Sequence, residues 1–163
     1  MRPTRILYVL TLSFLICTNQ ASAQDGESGL RFGVSVGGIS TFGVIVELFK
    51  DSRSLDFAVG TWSFRDLSFS VVAKQYFGAN QARPFIGGGL WIVAASPADE
   101  RTGLALVLRA PVGVDWEVAD RHSLGATLNV NRGLWVRRSD PEDDLPMNAR
   151  LVPLPELYYR FAN

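Results

Sequence analysis

From residue 30 onward, apolar and small or polar residues alternate along the chain. Leu30, Phe32, Val34 and Val36 stand between Arg31, Gly33, Ser35 and Gly37. The same rhythm returns in Phe42, Val44, Val46 and Leu48, then in Leu55, Phe57 and Val59, then in Leu67, Phe69, Val71 and Ala73. It continues through Arg83 to Ala94, along an unusually long row from Leu104 to Val118, through Leu124 to Val130, and ends in Leu157, Tyr159 and Phe161. A period of two is that of a strand, whose successive side chains point to opposite faces. The pattern predicts eight strands and no helix. Short polar turns at Lys50–Arg53, Gly78–Gln81 and Ala119–His122 separate some of them; longer charged stretches at Ser96–Arg101 and Arg137–Asn148 separate others. Short strands at regular spacing argue for an all-β sandwich or barrel.

The alternation does not say which row faces inward. In a soluble β domain the apolar row forms the core; in a membrane barrel it faces lipid and the other row fills the lumen. Here the polar row is rich in Gly33, Ser35, Gly37, Ser68, Ser70, Gly113, Thr127 and Asn129, sizes that suit the narrow interior of eight strands. Lysine, common on water-facing rows, occurs only at Lys50 and Lys74. Trp62, Phe64, Trp91, Trp116, Trp135, Tyr158 and Tyr159 fall toward strand ends, as interfacial girdles do. The expected fold is therefore all-β, an eight-stranded antiparallel up-and-down β-barrel of transmembrane type.

The amino-terminus adds a direction. Arg2 and Arg5 precede an apolar run, Ile6 to Ile16, and Ala21-Ser22-Ala23 is a small-x-small cleavage site. This order is that of a secretory signal, and the run is shorter than the ~20 residues a membrane helix needs. Residues 1–23 are read as a signal peptide and 24–163 as one barrel domain. Cleavage removes Cys17, the single cysteine, so no disulfide framework is expected. It also takes Arg2 and Arg5 from sixteen basic residues set against sixteen acidic ones, leaving a slight negative charge. With no basic stripe, no nucleic-acid partner is expected.

Three segments carry a family resemblance. Arg83-Pro84-Phe85-Ile86-Gly87-Gly88-Gly89-Leu90 resembles the proline-aromatic-glycine strand of small OmpA/OmpX-like outer-membrane barrel proteins. Gly113-Val114-Asp115-Trp116-Glu117-Val118 resembles a strand of that group leading into a short periplasmic turn, and Leu157-Tyr158-Tyr159-Arg160-Phe161 its carboxy-terminal strand. The departure is that Ala162 and Asn163 follow the last aromatic, where the family usually ends on it. The resemblance implies location in the cell outer membrane, lipids as surroundings, and the barrel assembly machinery as a partner through the last strand. A monomer is expected.

Candidate chemistry is sparse. His122, the single histidine, sits beside Asp120 and Ser123, but neighbours on a strand point to opposite faces, which a Ser-His-acid triad does not tolerate. The acidic run Asp140, Glu142, Asp143 and Asp144 is broken by Pro141 and lacks the calcium-loop glycine. Gly87-Gly88-Gly89 precedes no helix start and reads as a bulge or a close backbone approach. No catalytic residue, cofactor or metal is expected. The charges inside strands are more informative: Arg109 and Arg160 are expected to pair with Asp115, Glu117 or Glu156 across the lumen and close it to ions. The functional expectation is a non-enzymatic barrel of structural or membrane-integrity type. The alternative is a soluble periplasmic β-barrel in which Phe57, Phe69, Leu104, Leu106 and Leu108 line a cavity for an apolar ligand.

Overall fold

The computed structural model describes residues 28–96, 102–138 and 150–163. The signal segment with Cys17, and most of the two long charged stretches including Asp140 to Asp144, lie outside them. Eight strands follow in chain order: β1 (Ser28–Gly37), β2 (Ser40–Lys50), β3 (Arg53–Thr61), β4 (Asp66–Tyr76), β5 (Ala82–Ala95), β6 (Gly103–Ala119), β7 (His122–Arg137) and β8 (Val152–Ala162). Each pairs antiparallel with the next, and β8 returns to β1, so the sheet is a closed up-and-down barrel. Closure satisfies the two edges an open sheet would leave.

The stagger of the barrel can be read from its register. Ala162 pairs directly with Arg31. Following partners the other way round, from Arg31 through Glu47, Asp56, Val72, Gly89, Arg109 and Asn131, leads to Val152, ten residues along the same strand. Eight strands with that stagger tilt by about 40°, and their interior is wide enough only for side chains.

The expected alternation is present, with the apolar row outside. Phe69 and Leu108 are 41% and 44% exposed, whereas Ser68, Ser70 and Arg109 beside them are buried. Phe57, Leu104 and Leu106 share the outer row, so the arrangement in which these five line an interior cavity is not the one formed. The interior is largely polar, with an apolar cluster around Ile39 and Trp91, and is filled by side chains save for one small cavity. Trp91 and Tyr158 depart from the expected girdle: both are buried in the lumen, because each belongs to the inward row of its strand. Trp116, Trp135 and Tyr159 face outward, and Phe64 stands exposed in the β3–β4 turn.

The glycine run of β5 is a close approach and not a bulge. Register is unchanged on either side, from Ile86↔Val112 to Gly89↔Arg109. A Cβ on Gly89 would lie 2.0 Å from the Val71 carbonyl oxygen, so only glycine fits this crossing. Extra residues do occur elsewhere, where Leu106↔Trp135 gives way to Val107↔Gly133, and at Glu117/Ala119 near the opposite end.

Candidate functional site

The start of β1, the end of β8 and the short turns β2–β3, β4–β5 and β6–β7 lie at one end of the barrel, here the terminal end; the opposite end, which carries the β1–β2 and β3–β4 turns, is the loop end. The inward rows bring charges from seven strands together in the terminal half. At their centre is Arg160 on β8, whose side chain is wholly buried. Its Nη1 lies 2.6 Å from Glu47 Oε2, and its Nη2 donates to Asp115 Oδ1 at 2.8 Å. Two phenols complete the cage. Tyr76 donates to Glu47 Oε1 at 2.6 Å and accepts from Arg160; Tyr158 donates to Asp115 at 3.2 Å and accepts from Arg160 Nη2 at 2.8 Å.

Around this hub Arg31 reaches Glu47 at 3.3 Å, Lys74 reaches Asp56 Oδ2 at 2.5 Å, and Arg83 lies 3.7 Å from Asp115. The aromatic faces are used too: Arg160 stacks 4.2 Å from the Tyr158 ring centroid, and Lys74 lies 4.6 Å from that of Phe85. Higher in the lumen, Arg109 pairs with Glu156, donates through Nε to Asn129 Oδ1 at 2.8 Å and through Nη1 to Ser70 Oγ at 3.1 Å. Asn129 in turn donates to Glu156 at 2.8 Å. The cations are Arg31, Lys74, Arg83, Arg109 and Arg160; the carboxylates are Glu47, Asp56, Asp115 and Glu156. Near-balance is what burial demands, since an unpaired charge in such a place costs several kcal/mol.

Of the residues singled out from the sequence, Arg109 meets Glu156 and Arg160 meets Asp115. Glu117 joins neither pair. It stands exposed at the terminal rim, one inward step below Asp115, where β6 bulges before its turn. Glu47 is the partner sequence reasoning did not assign to Arg160, and Arg83, Tyr76 and Tyr158 were also missed as members. Row parity contains them: Tyr76 continues Ser70, Val72 and Lys74, and Arg83 precedes Phe85 by two. What parity leaves open is which strands face each other across the lumen.

Above this network the filling changes. Ile39 and Ser40, in and beside the β1–β2 turn, are wholly buried, and Gly38 donates to the Pro155 carbonyl at 2.8 Å. Ile39 belongs to an apolar cluster with Ile45, Ala58, Phe85 and Trp91 that reaches down to the rings of Tyr76 and Tyr158 in the hub, and Val93, Val107 and Leu154 pack against it. The hydroxyls of Ser35, Ser40 and Ser68 have no protein partner. Between the hub and the Arg109 group lies a cavity of about 20 Å³, lined by Asp56, Ser70, Lys74, Thr127 and Glu156 among others. It has room for about one water molecule.

His122 and Ser123 point to opposite sides of β7. Ser123 is buried, and His122 lies outside with Nδ1 2.5 Å from the Tyr159 hydroxyl and its ring 5.2 Å from Phe161. Nucleophile and base are not brought together. Among the described residues no three His, Cys, Asp or Glu side chains gather where they could hold a metal ion.

No protein-family model and no curated protein sequence matches the chain. In three dimensions it is similar to the crystal structure of the N-terminal β-barrel domain of Pseudomonas aeruginosa OprF, with a TM-score of 0.58 and 12% identity. The match covers 87% of this chain and 100% of that one. The shared feature is the fold, the eight-stranded closed antiparallel barrel.

Proposed function

We propose that this protein is a small outer-membrane β-barrel with a structural or membrane-integrity role, non-enzymatic and monomeric, its lumen closed to ions by side chains. The observation that carries this reading is the inside-out distribution of polarity. Charged residues of the outer row, such as Lys50, Arg53 and Arg137, sit at strand ends, and Arg132 lies on β7 just beyond the level where β8 begins. Between them the outer wall is uninterruptedly apolar or small, with Phe32, Val44, Phe69, Leu90, Val112, Leu128 and Leu157 all exposed. A soluble monomer rarely exposes an apolar patch beyond a few hundred Å². Even β3, the shortest strand at nine residues, rises about 23 Å at the estimated tilt, close to the ~25 Å apolar band of outer-membrane barrels.

The similarity in fold to the OprF barrel supports the same reading. Lipids of the outer membrane are then the partner of the wall, and the assembly machinery that of β8. Fractionation tests the proposal: retention in the outer membrane after carbonate or urea washing, with heat-modifiable gel mobility, is expected. Release into the periplasmic fraction would overturn it. Leu128→Arg gives an independent reading. Near a bilayer midplane it is expected to lower the unfolding free energy by about 2–4 kcal/mol, while on a wall facing water it would cost little.

A further inference from the structure

We infer that the terminal mouth of the lumen is a binding site for phosphate, as the free ion or as a small monoester, held between Arg31 and Arg83. The buried charges pair unevenly. Lys74 meets Asp56 and Arg109 meets Glu156, one cation to one carboxylate in each case. The rest of the network sets three arginines, Arg31, Arg83 and Arg160, against two carboxylates, Glu47 and Asp115. Among the described residues this leaves one positive charge in surplus, and a charge so placed calls for a counter-ion.

The hydrogen bonds locate that surplus. Arg160 takes the short contacts to both carboxylates, at 2.6 and 2.8 Å. Arg31 keeps one long bond, to Glu47 at 3.3 Å. The Arg83 guanidinium donates to no described residue; Asp115 Oδ2 lies 3.7 Å away, beyond bonding reach, and itself accepts no hydrogen bond. Arg31 and Arg83 are also the most open cations of the network, their side chains 12% and 21% exposed. They rise from β1 and β5, opposite walls of the ring, and both stand within 3.8 Å of the same Asp115 oxygen. One small anion can therefore touch both. Asp115 faces the same point, but Arg160 answers its charge at Oδ1. Aromatic faces steady the two forks: Arg31 lies 4.2 Å from the Phe49 ring centroid and Arg83 5.4 Å from that of Tyr76. Guanidinium forks match phosphate and carboxylate alike. Only phosphate, with oxygens diverging tetrahedrally, meets two forks from opposite walls. The competing counter-ion is Glu117, one inward step lower on β6. Its amide donates to the Gln81 carbonyl at 2.9 Å, but its carboxylate forms no ion pair with a described residue.

The inference rests on the geometry of the lumen and not on the membrane reading, so its test stands apart from fractionation. Inorganic phosphate is titrated calorimetrically into the full chain folded in detergent, at low salt where charge is least screened. Saturable binding is expected, with acetate at least about tenfold weaker. A parallel titration with glycerol phosphate separates the sources: binding of both assigns the phosphoryl group of a small solute, binding of phosphate alone assigns the free ion. Arg83→Gln, which breaks no hydrogen bond of the fold, is expected to weaken binding at least about tenfold, and Arg83→Lys, which keeps the charge without the fork, by a smaller factor. Lys50→Gln, at the same end but on the outer row, should leave it unchanged. Glu117→Gln should tighten it. No saturable binding, an affinity indifferent to Arg83, or binding seen only in Glu117→Gln would overturn the site; the last would mean that the chain's own carboxylate fills it. Circular dichroism identifies the folded variants, and should Arg83→Gln not fold, Arg83→Lys carries the comparison.

Discussion

The two halves of the lumen are filled from the same kind of strand row yet solved as different problems. In the terminal half, Arg160, Glu47, Asp115, Tyr76 and Tyr158 bind one another so that removing any member leaves another buried polar group with less than it needs. In the loop half, above the Arg109–Glu156 group, Ile39, Trp91, Val93, Val107 and Leu154 fill space by shape, and the hydroxyls of Ser35 and Ser68 stand without protein partners. The first half is coupled and directional; the second is local and tolerant. The contrast follows from the nature of the forces. Charges taken out of water require specific partners, whereas apolar contact requires only volume.

Unfolding from lipid vesicles in urea can break or sharpen this contrast. The largest effect is expected for Arg160→Met, which strands Glu47 and Asp115 together; about 5 kcal/mol of stability should be lost, the upper end for breaking a buried pair. A loss below about 1 kcal/mol would mean that the hub around Arg160 is solvated. Ile39→Ala should cost about 3 kcal/mol, the usual price of removing a buried branched side chain without collapse of the site. Tyr76→Phe removes a hydroxyl that serves both Glu47 and Arg160 and should cost about 2 kcal/mol. Ser68→Ala, in the loop half, should change stability by no more than about 0.5 kcal/mol, since no protein hydrogen bond is lost.

Double variants separate the halves more sharply than single ones. Tyr76→Phe combined with Arg160→Met should cost less than the sum of the two by about 1–2 kcal/mol, because they act on one network. Ile39→Ala combined with Tyr76→Phe should add within about 0.5 kcal/mol, one residue from each half. Additivity in both pairs would remove the distinction drawn between the two halves.

Several elements were open to reading from the chain alone. The eight strands, their inward and outward rows and the inward position of Arg109, Asp115, Glu156 and Arg160 follow from parity, since a one-residue slip would turn a whole row over. Trp91 and Tyr158 show the limit of arguing from residue type, for aromatic character suggested a girdle while parity placed them inside. Glu117 shows the limit of parity itself: it shares the row of Asp115 but lies at the rim, where burial has ended.

The sequence by itself determined the alternation, the strand count and the small polar lining, because these are properties of neighbours along one strand. Only the tertiary structure decided that Arg160 meets Glu47, that Glu117 meets neither arginine, and that the β1–β2 turn folds inward. The first of these depends on the ten-residue stagger with which the barrel closes. Stagger sets which levels of distant strands face one another across the lumen, and no local pattern encodes it.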